Sequence, residues 1–246
     1  RWWLGESRAY KPNKDYNEDI QKMKDFFIEA KAYAKTKTSE NNLAYESVQG
    51  LFDGSKKLFV SADSEKEIID AVSFAKEIGV KNTVLVGGYH AYKITEFLKQ
   101  NNIAVLAGRP QSTPNFEDDD YDLPYKMPKI LHDAGLLVSL DPGGRMERMN
   151  TRNLPFYAGQ VVGQGMDKED ALKMITLNAA KILGIDADYG TLEVGKSATL
   201  FISKGDALDV RGNLLSHAFI DGRQLSLESH HTTLHKRYSD KLQSKE

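Results

Sequence analysis

A chain of 246 residues is long enough for one barrel-sized domain or two smaller ones, and its net charge of −2, with both signs intermixed, offers no basic surface for nucleic acid or an anionic membrane. The absence of cysteine excludes disulfides and thiolate metal sites, and leaves the compartment, cytoplasmic or exported, open. No apolar run approaches the roughly 18 residues of a membrane-spanning helix, so the chain is expected to be soluble.

The chain opens on RWWLGESRAYKPNKDY, a polar stretch without a signal-peptide pattern. Two tryptophans at the first positions are an unusual domain start. Further chain upstream is expected, and without it residues 1–33 are expected to pack poorly. Ile20, Met23, Phe26, Phe27 and Ala30 recur at helical spacing over 16–33. A polar loop follows, then a short helix over 43–52 closed by Asp53-Gly54. Lys57–Ser61 (KLFVS) reads as a strand. Ser64 and Glu67 fit a capping box that opens a helix to Ile78, ended by Gly79. Thr83–Gly87 (TVLVG) is the next strand, 91–100 the next helix and Ile103–Ala107 (IAVLA) the third strand. A loop over 108–122 carries the acidic run Glu117–Asp120. Leu123–Ala134 is expected to be helical after its prolines, and Leu136–Leu140 (LLVSL) is the fourth strand.

Strand, helix, strand at this spacing marks parallel βαβ units. Near-continuous apolar strands fit a sheet with both faces covered, or a closing barrel. One strong helix is expected over 166–183, with Asp167 at its N-cap and Ala171, Leu172, Ile175, Ala179 and Ile182 as its buried stripe. Strands over 198–203 and 216–221, the turn Asp221-Gly222 and a polar helix over 232–242 follow. There is no internal repeat, no G-x-G-x-x-G or P-loop, and no G-x-S-x-G elbow.

The order LNAAKILGI (177–185) followed by GTLEVGKSATLFI (190–202) resembles the C-terminal end of the amidohydrolase superfamily, closest to its imidazolonepropionase-like branch. The resemblance implies an α/β fold: the C-terminal half of a (β/α)8 TIM-like barrel plus part of a small β-sandwich (composite) domain. The four strands then become barrel strands five to eight. Residues 1–185 form the partial barrel, 186–228 the sandwich strands and 229–246 a polar terminal helix. Half a barrel leaves two unpaired edges. The missing N-terminal half is therefore expected from the same polypeptide or from a second chain. An open doubly wound sheet, complete in itself, is the alternative.

Members of that superfamily place their chemistry at the carboxyl ends of barrel strands. A His-x-His pair, a lysine or glutamate, two further histidines and a final aspartate hold zinc or another divalent metal and serve the water it binds. Carried over, the fifth-strand ligand position holds Ser61, in Val60-Ser61-Ala62, and the sixth-strand position holds Gly87 or Gly88, in VGGYHAYK. Asp63 either turns an oxygen inward or caps the following helix. His90 fits a surface or capping role better than a ligand's. No metal is therefore expected on this chain's own ligands, although the family implies one.

Asp141 occupies the family's general-base position and is the catalytic candidate; a plain Asp-Pro-Gly-Gly turn accounts for it equally well. Thr151–Phe156 (TRNLPF) resembles the family's Arg-Asn-Leu-Pro segment beside the active-site mouth. It makes Arg152 and Asn153, together with Ser61, the substrate-binding candidates. Arg152 either pairs with a substrate carboxylate or braces Asp141. Glu6, in Leu4-Gly5-Glu6, resembles part of a family tract, and the pair in HTTLH, His231 and His235, reads as solvated surface.

The resemblance implies a hydrolase acting on C–N bonds of a small amide, cyclic amide or peptide-like substrate. The alternative is a catalytically degenerate, metal-free barrel that binds a ligand or supports an active paralogue. A third reading is an α/β binding protein unrelated to hydrolases. A small-molecule substrate is expected, with no nucleic-acid or membrane partner, and a homo-oligomer stays an option.

Overall fold

The computed structural model describes residues 14–36, 41–143 and 147–243. The opening tryptophans, Glu6 and Gly144 lie outside them. The chain divides into two compact units, one formed by Arg1–Val60 and Lys66–Val84, the other by Ser61–Glu65 and Leu85–Glu246.

In the first unit, helix α1 (Tyr16–Tyr33) packs against α2 (Leu43–Asp53). The Asn42 side chain accepts from the N–H groups of Ala44 and Tyr45, which fixes where α2 begins, and Gly54 at φ 92° ends it. Phe27 meets Phe52 and Phe74 edge-on, at centroid distances of 6.5 and 5.9 Å. The Tyr16 hydroxyl donates to Asp70 of α3 (Glu65–Ile78) at 2.9 Å. Ala30 is the buried residue of α1, while Met23 and Ile28 on the same helix remain exposed.

Strands β1 (Leu58–Ala62), β2 (Thr83–Gly87), β3 (Ala104–Ala107) and β4 (Val138–Leu140) form one sheet in the order β1-β2-β3-β4. β3 and β4 pair in parallel, Val105 opposite Val138 and Ala107 opposite Leu140. Strands adjacent in sequence are thus adjacent in the sheet, as barrel strands are.

The predicted helix over 91–100 is a 3₁₀ turn, Ala91–Lys93, followed by α4 (Thr95–Gln100), with Ile94 between them at φ −130°. Helix α5 (Leu123–Asp133) matches the expected span and carries two prolines. Pro124 lies in the first turn, where its missing N–H has no intrahelical acceptor to lose. Pro128 lies inside the helix and is fully buried.

After α6 (Leu154–Gly163), the single helix expected over 166–183 is two: α7 (Lys168–Met174) and α8 (Leu177–Leu183). Asp167 caps α7 as expected, accepting from the N–H groups of Glu169 and Asp170. The break has a tertiary cause. The buried Ser139 hydroxyl of β4 donates to the Met174 carbonyl at 2.6 Å, and the Asn178 amide donates to the Val138 carbonyl at 2.8 Å. Thr176, between the two helices, turns its own hydroxyl onto the Leu172 carbonyl.

A second, antiparallel sheet follows, β5 (Leu200–Ser203), β6 (Leu215–Ile220) and β7 (Arg223–Gln224), in that order. Asp221 and Gly222, at φ 48° and 77°, make the tight β6–β7 turn. Helix α9 (His230–Gln243) has no buried residue. No described helix is long and apolar enough to cross a membrane.

Candidate active site

The carboxyl ends of β1 and β2 are stitched together within the second unit. Gly88 donates its N–H to the Ala62 carbonyl and His90 donates to the Asp63 carbonyl, both at 2.9 Å. The Asp63 carboxylate turns toward β2 and accepts the Tyr89 N–H at 3.4 Å. Gly87 stands beside it at φ 89°, and a Cβ there would lie 2.7 Å from Asp63 Oδ1. Ser61 lies on the exposed side of β1.

The loop after β3 is pinned to this corner. Buried Tyr89 donates its hydroxyl to Asp119 Oδ2 at 2.6 Å and accepts the Asn115 N–H at 2.9 Å. Asp119 also accepts the Phe116 N–H, and the Phe116 ring stacks on His90 at 5.2 Å. Asp119 thus works inside the loop, and Asp120 pairs with Lys126 at 3.2 Å. Glu117 and Asp118 face solvent. In the sequence, Tyr89 is marked only by an aromatic hydroxyl directly after Gly-Gly, with an acidic loop to follow.

Burial, and then the hydrogen bond to Asp119, push the Tyr89 phenol up from 10.0 to about 12. Its pKa is higher folded than unfolded. The stability that it contributes is therefore complete below pH 10.0 and fades as pH rises toward about 12. Tyrosinate absorbance is expected to show Tyr89 in a late step shared with Tyr16 and Tyr45, whose phenols are also raised, and Tyr89→Phe to shrink that step and expose residues 115–119 to proteolysis. A wild-type titration without a late step would contradict this anchor.

Asp141 extends the β3–β4 ladder by one residue, donating its N–H to the Ala107 carbonyl at 2.7 Å. Its carboxylate accepts the Gly143 N–H, also at 2.7 Å, and closes an Asx turn. The residue is thus at once a turn former and a carboxylate at a strand's carboxyl end. Arg152 is exposed in the 3₁₀ segment Glu147–Asn153; among the described residues it makes no ion pair and no bond to Asp141. Asn153 starts α6 without a side-chain capping bond, and lines a cleft of about 440 Å³ together with Gln111, Phe156 and Gln160. The corner of β1 and β2 therefore gathers Asp63, Tyr89 and His90, while Ser61 stays on the exposed side of β1. Asp141 stands at the end of β4, and Asn153 in the cleft.

Among the described residues no three His, Asp or Glu side chains come together in a way that could hold an ion. At the strand ends, Gly87 has no donor atom, Ser61 offers a neutral hydroxyl, and the carboxylates of Asp63 and Asp141 are engaged by backbone N–H groups. That donor set does not fit the imidazole-rich zinc site of the superfamily.

The amidohydrolase family model matches residues 131–227. Among solved structures, an amidohydrolase from Thermotoga maritima superposes with a TM-score of 0.73 at 24% identity, over 89% of this chain and 61% of its own. A prolidase complexed with N-methylphosphonate-L-proline gives 0.53 at 15% identity, over 75% of this chain and 48% of its own. A Xaa-Pro dipeptidase with methionine bound in its active site gives 0.52 at 16% identity, over 74% and 47%. No curated protein matches by sequence. The chain spans between about half and three-fifths of the length of these structures. Residues 131–227 thus match the amidohydrolase family model, and the chain shares the fold of part of a TIM-like barrel with the Thermotoga maritima amidohydrolase.

Proposed function

We propose that the chain forms the C-terminal half of a hydrolase barrel that cleaves a C–N bond in a small amide, cyclic amide or peptide-like substrate. Its N-terminal half would come from the same polypeptide or from a second chain. The supporting observation is Asp141, a carboxylate on the ladder at the end of β4, where a barrel has its open rim. There it accepts a proton from water as the water oxygen bonds to the carbonyl carbon. It then returns that proton to the departing nitrogen as the C–N bond breaks. Ser61, Arg152 and Asn153 are the proposed substrate contacts, Arg152 through a substrate carboxylate. The two peptidase-named structural neighbours support the peptide-like option. In this reading residues 1–185 belong to the barrel, 186–228 to the sandwich and 229–246 to the terminal helix.

The test is amine release from dipeptides and cyclic amides by the full polypeptide. Turnover supports the hydrolase; its absence across both substrate classes counts against it. Ser61, Gly87 and the engaged Asp63 favour a second reading, a metal-free barrel that binds a ligand or supports an active paralogue. That reading expects no stoichiometric zinc on metal analysis of the purified chain. Stoichiometric zinc would overturn the assignment of Ser61 and Gly87 to the ligand positions.

A further inference from the structure

We propose that the cleft between α6 and the loop 205–213 binds a small, uncharged, amide-bearing molecule with an apolar body, about the size of a capped amino acid. The cleft holds about 440 Å³, within the range of small-molecule sites. One wall is a face of α6, where Asn153, Phe156 and Gln160 follow at helical spacing. The other is Leu208 and Val210.

The two walls stand this close because residue 159 is glycine. A Cβ there would lie 2.2 Å from the Leu208 carbonyl oxygen. The loop is shaped without help from a ligand. Asp206 accepts the Leu208 N–H at 2.9 Å and pairs with Lys168 at 2.8 Å; Gly212 and Asn213 donate to the Asp209 carbonyl. The cleft is therefore preformed, and ligand binding need not order it.

Its chemistry is selective. Gln160 Oε1 is buried with no hydrogen-bond partner among the described residues. A buried acceptor without a donor is costly, and a turn of the Gln160 side chain, which lines the cleft, would bring it onto a ligand N–H. The Asn153 amide, free of any capping duty, adds a second polar contact. The Lys168 ammonium is taken up by Asp206, and the Asp209 carboxylate lines the same wall, so an anionic ligand is disfavoured. Phe156, Val162, Leu208 and Val210 meet the apolar part. Asn153 is shared with the proposed substrate contacts, but neither Asp141 nor Ser61 lines the cleft, so ligand binding here does not require the hydrolase reading to hold.

The probe is N-acetyl-leucinamide, titrated calorimetrically into the full chain. Saturable binding is expected. Gln160→Leu, which removes the acceptor, should weaken it at least about tenfold. Val210→Arg, on the exposed side of the cleft, should do the same by filling it, and serves if Q160L does not fold. Asp141→Asn and Ser61→Ala should leave it unchanged. No saturable binding, equal binding by Q160L and V210R, or equal weakening by D141N would each overturn the proposal; none of these outcomes alters the hydrolysis assay on wild-type protein.

Discussion

Asp141→Asn is expected to lower amide hydrolysis by the full polypeptide about 10²–10⁴-fold, the span associated with a positioned general base, while leaving the unfolding midpoint nearly unchanged. The structure makes this a clean substitution. The asparagine oxygen can still accept the Gly143 N–H, so the Asx turn survives. The backbone N–H of residue 141 still reaches the Ala107 carbonyl. Only the basic oxygen is lost. The loss should fall on kcat with KM little changed, because a proton acceptor acts in the transition state and hardly at all in substrate binding. Asp141→Ala removes both roles and should also lower stability. If D141N retains full turnover, Asp141 is a turn residue and the rim has no base at this position.

The features legible in the sequence were those fixed by local chemistry. The four apolar runs give β1 to β4, and strand–helix alternation gives their order. Asp53-Gly54, Asp167 and Asp221-Gly222 mark element ends because their cap and turn bonds are made within a few residues. The break between α7 and α8 was not legible. The apolar stripe runs straight through it, and what interrupts the helix is a hydroxyl 35 residues away on β4. The span of α5 was legible despite Pro128: a proline inside a helix is disfavoured locally, and here it is fully buried.

At the candidate site the sequence showed which residue types stand at the strand ends, but not how they are held. Asp63 and Tyr89 are 26 positions apart, and Tyr89 and Asp119 are 30 apart. No spacing rule joins them, and only the parallel sheet brings their loops to one corner. The tail motif carries the family resemblance because it lies within residues 131–227, the part of the chain that the family model matches.

Gly87→Ala should destabilise the fold by about 1.5–3.5 kcal/mol, from two separable sources. At φ 89° an L-residue meets the left-handed penalty, about 1–2 kcal/mol. Its Cβ would also sit 2.7 Å from Asp63 Oδ1, the end of an exposed side chain that must swing away and give up the Tyr89 N–H, a loss of about 0.5–1.5 kcal/mol. Asp63→Ala removes only the second obstacle. Urea unfolding of the four proteins in a double-mutant cycle should therefore show G87A costing less in the D63A background, with a coupling of about 0.5–1.5 kcal/mol. Equal costs in both backgrounds would show that the carboxylate does not occupy that space. The same geometry bears on the proposed alignment of Gly87 with the strand-six histidine that the resemblance implies. Gly87→His would place an imidazole there, but it meets the same backbone angle and the same carboxylate. One substitution should therefore not create a metal ligand here, and zinc affinity measured on G87H should match that of the wild-type chain. The obstacle to a donor at this strand end lies in the backbone and in Asp63, beyond the identity of a single side chain.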